Sequence, residues 1–379
     1  MSTQPGTIPP DAQPTSRATT DDARGAFARA SAAVRPNDAR SVAAALERQA
    51  TLTKPAGSLG RLETLSVQLA GIAWQCPPPV PRWPAVAVFA ADHGVVASGV
   101  TPWPQEVTAQ MVSNFCQGGA AVSVLARSVG ATLTVVDVGV VSELAAHPLL
   151  RRHKIRSGTD DLSAGPAMTL DDVRAALDIG AQVAADLVAG GADLLVTGDM
   201  GIGNTTASAA VIAALTRASA AECTGRGTGI DDAMLVHKTA IVEAAVGRIT
   251  DADDVVSVLA EVGGLEIAAL AGFVVGAAAA RVPVVVDGVI TLAATLAAIR
   301  LVPDACDAVV AGHRSVEPGA SVALTALALE PLLDLGLRLG EASGATLAVP
   351  VVIAAARVLG EMATFADAAV AGREPGASA

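Results

Sequence analysis

The chain has 379 residues, enough for one large or two modest domains, and is built mostly from small aliphatic side chains with only 2% aromatics. Its net charge of −12 argues against nucleic acid and acidic membranes as general partners, so an anionic ligand has to be met by local donors. Four cysteines, Cys76, Cys116, Cys223 and Cys306, are scattered without metal-ligand spacing and the five histidines form no HxxxH pair, which disfavours a zinc site and fits a reducing cytoplasm.

Residues 1–35 are rich in Ser, Thr, Pro, Ala and Asp without apolar periodicity and are expected to form a disordered tail. No charged segment followed by an apolar core opens the chain, so secretion is not expected. Segments 38–52 and 64–73 carry helical patterns, and Cys76-Pro-Pro-Pro-Val-Pro81 is a stiff break. Beyond it, short β-rich segments recur at 85–91, 132–138, 194–196, 282–286 and 308–311, with helical stretches between them. One helix is well marked: Thr169 caps it, Asp172 stands three residues on, and it runs to the Gly190-Gly191 stop. Such alternation predicts an α/β fold with a mostly parallel sheet. The apolar runs 267–280 and 288–299 fall short of the roughly 20 residues a membrane-spanning helix needs and predict buried elements. After Pro331 the pattern turns helical again over 332–339 and 351–365, and the last residues are expected to fray.

Polar, glycine-bearing turns follow the strands: Asp92-His93-Gly94, Asp137-Val138-Gly139, Gly198-Asp199-Met200-Gly201, Asp287-Gly288 and Gly312-His313-Arg314-Ser315. In open parallel sheets ligands bind outside the carboxyl ends of the strands, so five such turns predict one cleft along one edge. The richest is Thr197-Gly-Asp-Met-Gly-Ile-Gly-Asn-Thr-Thr206. It reads as strand, glycine turn and helix start, with Thr205 or Thr206 placed to cap the helix. Gly201 and Gly203 would let backbone amides approach an anion at a helix N-terminus; a bound phosphate and a plain tight turn fit this spacing alike. It matches neither a Walker loop nor a dinucleotide fingerprint.

Gly225-Arg-Gly-Thr-Gly-Ile-Asp-Asp232 is a second glycine turn, followed by His237 and Lys238. It reads either as a flexible loop between helices or as further backbone donors to which Lys238 adds charge. The Asp231-Asp232 pair does not end a hydrophobic strand, which disfavours a magnesium–diphosphate site. In Leu339-Gly-Glu-Ala-Ser-Gly-Ala-Thr346, Glu341 stands at a helix break. A carboxylate there reads first as a solvated cap, and second as a general base with a pKa raised by burial. His93 and His313 read as hydrogen-bonded structural residues, and Asp92 and Asp287 could hold ribose hydroxyls or satisfy turn amides.

Six segments in this order carry a resemblance: Lys54-Pro-Ala-Gly-Ser-Leu-Gly-Arg-Leu-Glu63, Ala91-Asp-His-Gly-Val95, Pro104-Gln-Glu-Val-Thr-Ala-Gln-Met111, Gly198 to Thr206, Gly312-His-Arg-Ser-Val-Glu317 and Gly340-Glu-Ala-Ser-Gly344. Together they closely resemble the nicotinate-nucleotide–dimethylbenzimidazole phosphoribosyltransferases of cobalamin lower-nucleotide synthesis, over about residues 36–365. The resemblance implies a Rossmann-like parallel α/β domain over 81–330 and a smaller helical domain made from 36–80 and 331–379. It implies a cytoplasmic homodimer that moves ribose 5-phosphate from nicotinate mononucleotide to 5,6-dimethylbenzimidazole. It implies Glu341 as catalytic base and Gly201, Gly203, Asn204, Thr205 and Thr206 as nucleotide contacts. Gly227, Gly229 and Lys238 map to the phosphate side, and Pro102, Trp103 and Gln110 to the benzimidazole pocket. Two departures from the family pattern stand out. Asp199 stands where a glutamate is common, and Pro102-Trp103 replaces a Ser-Tyr-like pair, so Trp103 can stack on a flat base but offers no phenol oxygen.

The chemistry needs few groups. Nicotinate leaves as a neutral ring nitrogen, so no general acid is required, and the acceptor loses one ring proton, so one base suffices. No diphosphate is released, so no metal and no other cofactor is expected. Asp199 could stabilise charge on the ribose or orient the acceptor. A non-catalytic nucleotide or benzimidazole binder, and a transferase for another acceptor such as adenine or a phenol, are the competing readings.

Overall fold

The computed structural model describes residues 23–371. Three helices open it: α1 (Ala26–Ala33), α2 (Ala39–Thr51) and α3 (Arg61–Ala73). Then come β1 (Pro84–Ala91), α4 (Val107–Gln117), α5 (Ala121–Ser128), β2 (Thr132–Gly139), β3 (Leu150–Arg152) and α6 (Leu170–Ala189). The middle of the chain holds β4 (Leu194–Met200), α7 (Asn204–Thr216), α8 (Ala220–Cys223), α9 (Asp232–Val246), α10 (Val255–Val262) and α11 (Leu265–Ala279). Last are β5 (Val284–Val286), α12 (Val289–Leu301), β6 (Val309–Ala311), α13 (Pro318–Ala326) and α14 (Ser343–Glu361).

The six strands form one sheet in the order β3-β2-β1-β4-β5-β6, with every pairing parallel. Strand order reverses between β1 and β4, which opens a crevice at their carboxyl ends. The expected parallel α/β architecture is what the chain adopts. Both faces are buried, so β1 reads as a continuous apolar run: Ala85, Ala87, Phe89 and Ala91 enter one core, and Val86, Val88 and Ala90 the other. The first core is closed by α6, α7, α11 and α12. Small residues there permit backbone contact: a Cβ on Gly180 would lie 1.7 Å from the Ala269 carbonyl oxygen, and one on Gly272 2.0 Å from that of Leu177. The scarcity of aromatics in the sequence is matched by this close α6–α11 crossing.

The second face is covered by α3, α4, α5 and α14, so helices from both ends of the chain share it. Leu52 also bridges Thr364, and Ala45, Ala70 and Leu359 form a satellite core. Helix α14 has the 19-residue length and apolar composition of a membrane span. Its Ala345, Ala348, Val349, Val352, Ala355 and Ala356 are instead buried under the sheet.

Three expectations are corrected and one strand was not expected. Residues 1–22 of the expected tail lie outside the described residues, as do 372–379, but its later part is ordered: α1 forms, with Asp178 accepting from the amides of Gly25 and Phe27 and Val34 buried. Segment 332–339 is not helical; its backbone bonds to the chain leaving β6, through Leu332 N to Ala311 O and Arg314 N to Leu333 O. Edge strand β3 falls in a stretch with no strand signal of its own. Helix α7 is capped by Gly203 at φ 93°, and neither Thr205 nor Thr206 acts as its cap.

Candidate active site

Asp199 is the penultimate residue of β4, paired in register with Phe89 of β1, and so lies at the sheet's reversal of order. The segment before α14 crosses it. A Cβ on Gly198 would stand 2.9 Å from that of Ala342, and one on Gly340 3.3 Å from the Asp199 carboxylate. Gly340, Glu341 and Ala342 have φ of 81°, 59° and 63°, three left-handed residues in succession. For the two non-glycines this conformation costs on the order of 1 kcal/mol each, and strain of this kind persists where surrounding contacts hold it. Its effect is to bring Glu341 in over the strand ends, 7% exposed. A solvated cap is therefore not what Glu341 is.

Acidic groups converge here. Burial first, and then the charge of Asp287, push the Glu341 pKa up to about 7. Asp199 is held well above the usual carboxylate range by burial and by Asp287, Glu266 and Glu341, against the opposing hydrogen bond from Asn204 Nδ2 to Asp199 Oδ2 at 3.0 Å. Asp287 Oδ1 accepts from the Ala345 amide at 2.8 Å, so it does satisfy a turn amide, while its Oδ2 and Asp199 Oδ1 are buried without a partner. Orphaned buried acceptors of this kind are what a bound ligand would satisfy. His313 lies 3.4 Å from Asp287 Oδ1, but neither of its ring nitrogens makes a hydrogen bond, which corrects the expectation of a hydrogen-bonded residue. His93 does meet that expectation, through Glu266 at 2.7 Å.

Beside this acidic centre the two glycine turns share a cleft lined by Gly201, Gly203, Asn204, Thr205, Thr206, Gly227 and Lys238. Gly229 is not among its lining residues. The amides of Ile202, Asn204 and Thr206 are taken by Thr108 Oγ1, Gly201 O and Gly203 O, leaving those of Gly203 and Thr205 as candidate anion donors. Two amides of the second turn are spent: Gly227 N donates to Glu317 Oε1 at 2.8 Å and Gly229 N to Arg226 O. What this turn presents is Lys238, 1% exposed, donating to Thr205 Oγ1 at 2.9 Å and Gly225 O at 3.1 Å. Burial lowers the Lys238 pKa to about 8, against the upward pull of Glu317. The neighbouring acids have structural work: Asp231 caps α9 and Asp232 pairs with Arg226.

Pro102, Trp103 and Gln110 are exposed, Trp103 by 47%, on the loop and helix that continue from cleft residues Val100 and Thr101. Two buried carboxylates of the site were not singled out from sequence. Glu266 is the lone charge in the apolar α11, and that isolation was a usable signal. Glu317 lies in the quoted Gly312 to Glu317 segment, but its contact with Gly227 joins distant parts of the chain.

Residues 34–370 match the family model described as Phosphoribosyltransferase. The chain is 57% identical over 358 residues to the nicotinate-nucleotide–dimethylbenzimidazole phosphoribosyltransferase of Salinispora tropica, covering 90% of this chain and 98% of the relative. It is 54% identical to the protein of that name from Chloroflexus aurantiacus, covering 88% and 95%. The crystal structure of CobT from Thermus thermophilus superposes with a TM-score of 0.86 at 46% identity, over 88% of this chain and 99% of that one. The chain belongs to this phosphoribosyltransferase family and is an enzyme of that class.

Proposed function

We propose that this phosphoribosyltransferase transfers ribose 5-phosphate from nicotinate mononucleotide to 5,6-dimethylbenzimidazole, giving α-ribazole 5′-phosphate and nicotinate for the nucleotide loop of cobalamin. The observation that carries the reading is Glu341: buried, with its pKa pushed up to about 7, and set over the strand ends beside Asp199 and Asp287. A carboxylate poised near neutral pH suits the one proton transfer the reaction needs, from the acceptor ring nitrogen, a contribution typically worth roughly 10²–10⁴ in rate. The acceptor's other nitrogen forms the new bond to C1′ as the bond to nicotinate breaks, and the leaving ring nitrogen keeps the electron pair. Attack opposite the leaving group inverts C1′, turning a β-linked donor into an α-linked product.

In this reading the donor phosphate sits in the cleft of Gly201, Gly203, Thr205 and Lys238, where a helix N-terminus and one ammonium meet an anion that the chain's net charge would repel. Burial favours the neutral form of Asp199, so it acts through a hydrogen bond that orients the acceptor. Trp103, with Pro102 and Gln110, supplies a flat face for the bicyclic base. We place the enzyme in the cytoplasm, as a homodimer with a smaller domain built from the segments 36–80 and 331 onward.

The test is incubation of the purified protein with both substrates without added metal, following nicotinate and α-ribazole phosphate by chromatography. Stoichiometric appearance of both is expected. Donor binding with no product from this or a related base would make the chain a non-catalytic binder. The exposed Pro102-Trp103 pair favours one second reading, a different preferred acceptor, which competition between bases in the same assay resolves.

A further inference from the structure

His93 and Glu266 form an ion pair at 2.7 Å in which both side chains are fully buried. A pair so deeply placed is expensive to desolvate and is weak evidence for stability by itself. Its position is informative. His93 follows β1 at the reversal of strand order, and Glu266 lies in the first turn of α11, where the helix dipole favours a carboxylate. The imidazole is held between two backbones. A Cβ on Gly264 would stand 2.5 Å from His93 Cε1, and one on Gly201 would stand 3.3 Å from both Cδ2 and Nε2. Gly201 is the first glycine of the turn that lines the cleft. Among the described residues His93 Nδ1 and Glu266 Oε2 have no hydrogen-bond partner, so the pair's fixing contact there is to each other. Burial works against a charged ring, but Glu266 and Asp92 more than offset it, and the His93 pKa is raised.

We propose that the His93–Glu266 pair is a positioning element for catalysis: locked by Glu266, the imidazole is the floor on which the Gly201–Gly203 turn rests, and it sets the backbone donors that hold the nucleotide's phosphate. This rests on the transferase reading above. Both side chains are fully buried and neither lines the cleft, so their effect falls on the donor side of the reaction through the geometry of the turn.

The experiment compares wild type with Glu266→Gln, which keeps the shape and removes the charge, and with Glu266→Asp, which keeps the charge at shorter reach. Wild-type turnover tests the transferase reading alone, before any variant is made. In Glu266→Gln the KM for nicotinate mononucleotide should rise about tenfold while the KM for dimethylbenzimidazole is unchanged, and Glu266→Asp should recover part of the loss. Hydrogen exchange should quicken in residues 200–206 and not in α12. Unchanged donor KM in folded Glu266→Gln, or faster exchange throughout the core, overturns the proposal. A measurement on wild type alone covers the case in which the variants do not fold. Saturating nicotinate mononucleotide should slow exchange in 200–206 and 92–96 together, and protection confined to 200–206 overturns the proposal.

Discussion

Glu341 and Lys238 are both buried, and burial moves their pKa values toward each other from opposite sides. The carboxylate goes up to about 7 because its charged form is the anion, and the ammonium goes down to about 8 because its charged form is the cation. The proposed mechanism requires Glu341 deprotonated, so activity should be lost as pH falls through about 7; the proposed donor capture requires Lys238 protonated, so it should be lost as pH rises through about 8. The profile of kcat/KM, which reports the free enzyme, should therefore be a narrow bell between those limbs. Glu341→Gln should cut kcat by roughly 10²–10⁴ with donor affinity kept, and its residual activity should lose the acid limb. Lys238→Met should raise the donor KM and lose the alkaline limb. Turnover unaffected by Glu341→Gln would make Glu341 structural. The sequence displayed both residues in glycine-rich segments but not their burial. Glu341 is enclosed by β4 and by Asp287, contacts that no local pattern around Leu339 to Thr346 encodes.

At the scale of elements, five of six strands were legible because each is a short β-rich run that the sheet buries on both faces. What stayed hidden depended on partners: three-residue β3 pairs with β2, and 332–339 is non-helical because it lies along the chain leaving β6. Its leucine spacing imitates a helix, but its backbone groups are satisfied elsewhere. The α6–α11 crossing shows the same dependence, since Gly180 and Gly272 sit inside helices where glycine lowers intrinsic stability. Backbone contact is the compensation. Gly272→Ala would remove that intrinsic penalty and yet drive a methyl to 2.0 Å from the Leu177 carbonyl oxygen, so the helices must part. Overpacking of this kind costs about 1–3 kcal/mol, and urea unfolding should show a lower midpoint for Gly272→Ala with the slope unchanged. A neutral or stabilising result would mean that the crossing relaxes freely.

For the molecule as a whole, the site is a local concentration of negative charge in a chain that already carries −12. Asp92, Asp137, Asp199 and Glu341 are all held above their ordinary pKa, in each case first by burial. The native state therefore binds protons more tightly than the unfolded chain at these positions, and stability must fall as pH rises from the unfolded values through the raised ones. Glu63 opposes this trend: burial pushes it up, but bonds from Leu59, Gly57 and Lys54 bring it below its usual range, so it adds stability above that range. Asp199 is raised by burial first and then by three other carboxylates, and its one hydrogen bond, from Asn204, does not offset them. Asp199→Asn removes the ionisable group and can still accept from Asn204 through its amide oxygen. Its Tm should exceed that of wild type by a few degrees at pH 8, and the gap should close as pH falls toward 3.8, the ordinary value for Asp. Lower stability at both ends of that range would mean that the Asp199 anion is the favoured native form. A gain in stability together with a loss of turnover would be the signature of a carboxyl group kept for function against the interest of the fold.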